Sequence, residues 1–126
     1  MKLQPDKSSA PLVRAYSQQW LQIDELRFEQ SVVVSSLTER PTRAWAPGRF
    51  SDLQPAHLEE LANSGAELVI LGTGQGHKRA PPAWQALFAA RRVGLETMDT
   101  AAACRTYNIL ASEGRKVLAL LLLESA

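Results

Sequence analysis

Residues 96–119 constrain this chain more than any other segment, because they join a strand, a helix and a second strand with no spare residues between them. Asp99 and Thr100 stand where a helix needs an N-terminal cap, and Gly114 stands where a left-handed residue would end it. Residues 117–123 then run unbroken through apolar side chains. This fixes an architecture and specifies no reaction.

With 126 residues the chain suits one domain, long enough to bury roughly two-thirds of its unfolded surface around a single core. Fourteen Lys and Arg face thirteen Asp and Glu, so there is little long-range field to draw nucleic acid or anionic lipid, and no nucleic-acid partner is expected. Cys104 is the sole cysteine, which excludes an internal disulfide and a cysteine-rich zinc site and fits a reducing compartment. His57 and His77 are the only histidines, so no metal and no cofactor are expected. Residues 1–10 mix Lys2, Asp6 and Lys7 with Pro5, Ser8 and Ser9 and contain no apolar export segment. The acidic residue and the lack of arginine there argue against a mitochondrial transit peptide. The run at 117–123 is far below the roughly 20 residues needed to span a bilayer. The expectation is a cytoplasmic protein without a transmembrane segment.

Residues 1–11 read as a flexible N-terminal arm, and residues 12–126 as a single domain. Apolar bursts at 13–16, 20–23, 26–28 and 32–34 suit an antiparallel meander, with Val32, Val33 and Val34 its most secure strand. Pro41, Pro47 and Gly48 leave room for at most a short strand around Ala44 and Trp45. Pro55 opens a helix carrying His57, Leu58, Leu61 and Ala62 at helical spacing, stopped by Asn63 and Gly65. Residues 67–71 are a buried strand. Pro81 and Pro82 open a second helix with Trp84, Leu87 and Phe88 inward, Arg91 and Arg92 at its negative end, and Gly94 as its stop. Residues 95–98 form another strand. In the helix that follows, Ala103, Thr106, Tyr107 and Leu110 share the face turned to the sheet, while Arg105, Asn108 and Ser112 share the opposite one.

Four places invite a chemical reading. Gly72, Thr73, Gly74, Gln75 and Gly76 follow a strand and resemble a phosphate-cradling loop, which Lys78 and Arg79 could supplement. The dinucleotide and Walker patterns both fail at His77, and the glycines could equally serve a tight turn over the sheet. Cys104, in the first turn of a helix, is either a nucleophile or a small core residue. His57 has a plain role at a helix start, and no nucleophile elbow accompanies any serine. Arg105, Asn108, Glu113 and Arg115 could gather near the end of the sheet as a binding patch. Their plain reading is a solvated helix face with a Glu113–Arg115 ion pair across the Gly114 turn.

The ordered series Glu96, Met98, Thr100, Ala102, Ala103, Arg105, Thr106, Tyr107, Asn108, Leu110, Glu113, Gly114, Arg115 and Val117, with Leu71, Gly72, Gly74 and Trp45, resembles a small domain family. That family includes the mitochondrial assembly factor 3 of NADH:ubiquinone oxidoreductase, respiratory complex I, and many bacterial and archaeal proteins of undefined function. The resemblance covers nearly the whole chain from about Leu12. It implies an α/β fold, a compact three-layer domain whose mixed β-sheet is packed by about three helices. It also implies a non-enzymatic interaction or assembly role, with another protein as partner, such as respiratory complex subunits or assembly factors. It brings no catalytic residues. A small-molecule or anion-binding domain using the loop at 72–76 is the alternative. The candidate binding surface is therefore Gly72, Thr73, Gly74, Lys78, Arg79, Arg105, Asn108, Glu113 and Arg115.

Overall fold

The apolar bursts of the first third become strands, but they divide between two sheets. In the computed structural model, which describes residues 9–124, β1 (Val13–Tyr16), β2 (Leu21–Ile23) and β3 (Leu26–Phe28) form a small antiparallel meander. β4 (Val32–Ser35) leaves it and pairs with β5 (Arg43–Ala44) in a larger sheet. There follow α1 (Pro55–Ala62), β6 (Leu68–Gly72), α2 (Pro82–Ala90), β7 (Gly94–Met98), α3 (Thr100–Ser112) and β8 (Val117–Leu121). The large sheet runs β5-β4-β8-β6-β7, with β6 parallel to β7 and β8, and β4 antiparallel to β5 and β8. The departure of β4 corrects the expected four-stranded meander. Its three valines are all buried, so the strand needs cover on both faces, which only the interior of a layered sheet supplies.

Side chains alternate across the large sheet. Val32, Val34, Ile70, Val117, Ala119 and Leu121 pack with Ala103, Cys104, Tyr107 and Ala111 of α3 and with Val13, Leu21 and Ile23 of the meander. Val33, Val69, Leu71, Leu118 and Leu120 pack on the other side with Leu58, Leu61 and Ala62 of α1 and Phe88 of α2. The mixed sheet is thus the middle of three layers, the α/β arrangement that the resemblance implies.

Helix ends follow local chemistry except at the end of α2. Asp99 accepts a hydrogen bond from the Ala102 N–H at 2.8 Å and starts α3. Gly114, at φ +81°, ends it, with the Gly114 N–H bonded to Ala111 O and the Arg115 N–H to Leu110 O, both at 3.0 Å. α2 does not run to Gly94: it stops at Ala90, and Arg92 takes the left-handed conformation at φ +59°. Gly94 instead belongs to β7, where a Cβ would lie 2.9 Å from Leu68 Cδ1. The buried stripe of α3 is Thr100, Ala103, Cys104, Tyr107 and Ala111, turned slightly from the expected face so that Thr106 and Leu110 sit at its margin. Of the expected arm, residues 1–8 lie outside the described residues. Ala10 packs against the core, and Pro11 O accepts the Tyr107 hydroxyl at 2.8 Å.

Candidate functional site

β6 leads into α2 on one face of the sheet, and β7 leads into α3 on the other. Where successive parallel strands send their chains to opposite faces, α/β proteins open a crevice at the strands' carboxyl ends. Here that crevice is closed by hydrogen bonds. The Thr73 N–H donates to Met98 O at 2.8 Å, and the Thr100 N–H to Gly74 O at 2.8 Å. The Gly74 N–H donates to Thr100 Oγ1 at 2.8 Å, and that hydroxyl donates in turn to Leu122 O at 2.7 Å. The Thr73 hydroxyl donates to Gly76 O at 2.6 Å and accepts the Lys78 N–H at 3.1 Å, while the Gln75 N–H donates to Glu124 O at 3.1 Å.

The loop amides of Thr73, Gly74, Gln75 and Lys78 are therefore bonded within the protein. An anion already stands opposite the loop lysine: Glu124 Oε2 lies 3.6 Å from Lys78 Nζ, and Oε1 accepts the Phe50 N–H at 2.6 Å. Gly74 is required by this closure, since φ is +95° and a Cβ would lie 2.5 Å from Glu124 O. His77 reaches across to β7, with Nε2 2.9 Å from Thr97 Oγ1.

Beside the closed loop a cleft of about 370 Å³ opens between the loop, the start of α3 and the β1–β2 turn. Tyr16, Ser17, Gln75, Asp99, Thr100 and Glu124 are among its walls. The Tyr16 hydroxyl accepts from Arg105 Nη1 at 3.0 Å, so the arginine stands at the rim. The volume falls within the range of small-ligand sites, about 300–1,000 Å³.

The candidate residues fall into separate places. Gly72, Thr73, Gly74 and Lys78 form the closed loop, with Arg79 exposed on it. Arg105 joins that region through Tyr16. Asn108 turns inward: its Oδ1 accepts the Val13 N–H at 2.9 Å and its Nδ2 donates to Val13 O at 2.8 Å. Glu113 and Arg115 lie at the far end of the 13-residue α3, about 20 Å from its start. Arg115 pairs with Glu67, not across the turn with Glu113. Its Nε and Nη2 approach the two carboxylate oxygens at 3.2 and 3.3 Å, because Glu67 enters β6 directly beside the start of β8. The Arg115 hydrogen bonds hold the Glu67 carboxyl below its ordinary range, and Glu67 in turn raises Arg115. Tyr16 and Glu124 are site residues that the sequence reading misses, whereas Gln75 belongs to the glycine loop it singles out. Only Glu124 carries a signal, as the first charged residue after the apolar run.

Cys104 is buried in the core, where desolvation pushes its thiol up to about 12. Among the described residues no three His, Cys, Asp or Glu side chains gather where they could hold a metal ion. No helix among them is long and apolar enough to cross a membrane.

Residues 13–122 match the family described as protein of unknown function DUF498/DUF598. The chain belongs to this family. Among its relatives, NADH dehydrogenase [ubiquinone] 1 alpha subcomplex assembly factor 3 of Xenopus tropicalis is 27% identical over 116 residues, which are 90% of this chain. The chain spans 62% of that protein's length. The crystal structure of a Bordetella parapertussis protein matches with a TM-score of 0.81 at 32% identity, covering 90% of this chain and 95% of that one. The solution structure of a Bordetella pertussis protein described as a Mth938-like domain also gives 0.81, at 29% identity, covering 99% and 94%. The sequence resemblance to the assembly factor and to bacterial proteins is thereby established, and so is the shared fold.

Proposed function

We propose that this DUF498/DUF598 member is a cytoplasmic interaction module that assists the assembly of a respiratory complex by presenting a rigid surface to another protein. The observation that carries this reading is the match to assembly factor 3 along 90% of the chain. The geometry supports recognition in preference to bond chemistry. The amides of Thr73, Gly74, Gln75 and Lys78 are engaged internally, and the one thiol is a protonated core group. The contact surface is the outer part of the loop, Gln75 to His77 with Lys78 and Arg79, together with Arg105, carried on a base that the buried Gly72, Thr73 and Gly74 hold in place. Asn108 positions the meander behind it, and Glu113 and Arg115 offer a second, separate contact. Affinity purification at native abundance should recover complex I subunits or an assembly partner, and recovery should fall when Arg79 and Arg105 are both changed to Glu. Membranes of a deletion strain should hold less assembled complex. Normal NADH oxidation together with no captured partner would remove the proposal.

A second reading, a small-molecule or anion ligand, is favoured by the 370 Å³ cleft beside Gly74 and Gln75. Because the amides of Thr73, Gly74, Gln75 and Lys78 are engaged, such a ligand would sit in the cleft and not on the glycine loop itself. A panel of nucleotides, phosphates and acyl carriers read by thermal shift tests it. A ligand at about 100 times its dissociation constant adds roughly 2.7 kcal/mol, and a melting point unmoved by every member would dismiss this reading.

A further inference from the structure

The edges of the two sheets are not equally protected. β5 has only two residues and carries Arg43, and β3 has three and carries Arg27. β1 is bulged near Arg14, and its Val13 N–H and C=O are both taken by Asn108. Short length, charge, bulges and side-chain cover are the usual devices that keep a sheet edge from pairing. β7 carries one charge, Glu96, and His77 meets its Thr97 side chain, but it has neither the shortness, the bulge nor the backbone cover of the other edges. It is five residues long and regular along its pairing with β6. The Gly94 N–H bonds Glu67 O, and Met98 O accepts the Thr73 N–H, so Gly94, Glu96 and Met98 address the sheet. By the alternation of a parallel ladder, Leu95 and Thr97 direct their N–H and C=O groups outward. Among the described residues nothing takes these groups up.

α2 flanks this edge, packed against both α1 and β7. Arg91 reaches from it to Glu59 and Asn63 of the α1 region at 2.6 and 2.8 Å, which marks the side toward α1. At about 3.6 residues per turn the opposite side carries Pro82, Ala86 and Ala89, all exposed. The nine residues of α2 and the five of β7 contain one ionisable side chain, Glu96, in a chain that is 21% charged. Charge depletion of this kind marks the centre of an interface.

We infer that β7 pairs antiparallel with β7 of a second copy of this chain, joining the two large sheets into one. The charges select the occupant and the register. Centred on Glu96, the pairing would set two carboxylates opposite one another, which is unfavourable. Centred on Leu95, it sets Glu96 opposite Gly94 of the second copy and beside the turn that carries the copy's Arg92. Glu96 and Arg92 are both exposed, and neither has an ion-pair partner among the described residues. The two-fold axis makes this pair twice. The small side chains of Ala86 and Ala89 let the flanking helices approach. A stable interface needs about 800 Å² per partner, near one-ninth of the 7131 Å² surface of this chain.

Sedimentation of the full chain over a wide concentration range tests the inference. A monomer–dimer equilibrium is expected. Thr97→Pro removes an outward N–H without touching the β6 ladder, and Ala89→Arg places a charge on the flank; each should leave a folded monomer by circular dichroism. Glu96→Arg should weaken the dimer by about tenfold or more, and Arg92→Glu added to it should restore the pairing. Amide exchange at Leu95 and Thr97 should slow as concentration rises. A chain monomeric at every concentration overturns the inference, as does a dimer indifferent to both Thr97→Pro and Ala89→Arg. So does a monomer whose β7 amides become protected only when another protein is added, which would assign the edge to a partner's strand.

Discussion

Asn108 holds Val13 as a neighbouring strand would, accepting its N–H at 2.9 Å and donating to its C=O at 2.8 Å. The two residues are 95 positions apart, so one amide side chain docks the meander onto α3. Asn108→Leu leaves both backbone groups of the buried Val13 without a partner. Each such loss costs about 1–3 kcal/mol, and a destabilisation of about 2–5 kcal/mol is expected in urea denaturation. Asn108→Asp keeps the shape but sets a carboxylate against Val13 O. Protonation restores the donor, so the introduced carboxyl should titrate above its unfolded value. The stability it contributes is then present at low pH and lost as pH rises, and the deficit against the parent chain should be smaller at acid pH than at neutral pH.

Thr100 closes the strand ends with one hydroxyl, accepting from Gly74 N and donating to Leu122 O. Thr100→Val has nearly the same shape and makes neither bond. Two unsatisfied buried groups should cost about 2–4 kcal/mol, and amide exchange at Gly74 should accelerate. Thr100→Ser should stay within about 1 kcal/mol of the parent. An equal loss for both variants would show that packing, and not the hydroxyl, closes the loop.

What can be read in the sequence is whatever a few neighbouring residues decide. Asp99, Gly114 and the run from Val117 set the ends of α3 and the start of β8 by local capping and burial, and the structure has them there. The transfer of β4 to the large sheet depends on a partner more than eighty residues away, and three valines in a row do not name it. Asn108 reads as solvated because a polar residue beside an apolar stripe usually is; its partner lies in another element. Arg115 sits two residues from Glu113 but meets Glu67 across the sheet, 48 positions distant. Gly94 reads as a helix stop because glycine often is one, whereas here the close approach of Leu68 requires it. The glycine loop is legible in the sequence, but not the satisfaction of the Thr73, Gly74, Gln75 and Lys78 amides from within.

Two glycines of that loop should answer differently to the same change. At Gly74 a methyl group meets Glu124 O at 2.5 Å, and the residue sits at φ +95°. The left-handed backbone alone costs about 1–2 kcal/mol for a residue with a Cβ, and the clash adds to it. Gly74→Ala should therefore lose at least about 2–3 kcal/mol. Gly76 has no atom within 4 Å of its would-be Cβ and no positive φ. Gly76→Ala should be neutral or gain about 0.4–1 kcal/mol through the unfolded chain. Melting temperatures of the two variants check this, and equal losses would mean that Gly74 is not packed against Glu124.

Cys104 gives the fold an alkaline limit. Desolvation lifts its thiol from 9.0 to about 12, with the Arg105 charge opposing the shift. The Tyr107 hydroxyl on the same helix is raised by burial as well. An acid whose folded pKa exceeds its unfolded value stabilises the fold fully below the unfolded value, and that contribution is lost as pH climbs to the folded one. Stability should be level up to about pH 9 and decline from there toward about pH 12. Cys104→Ala should cost about 1–2 kcal/mol at neutral pH, from the vacated volume, and should flatten the alkaline decline, leaving the slope due to Tyr107. A thiol reagent at neutral pH should label the native chain only as fast as it opens, and label it at once in urea. Rapid labelling of the folded chain would place a reactive thiolate where the structure has a core side chain, and the reading of this protein as a recognition module without covalent chemistry would fail with it.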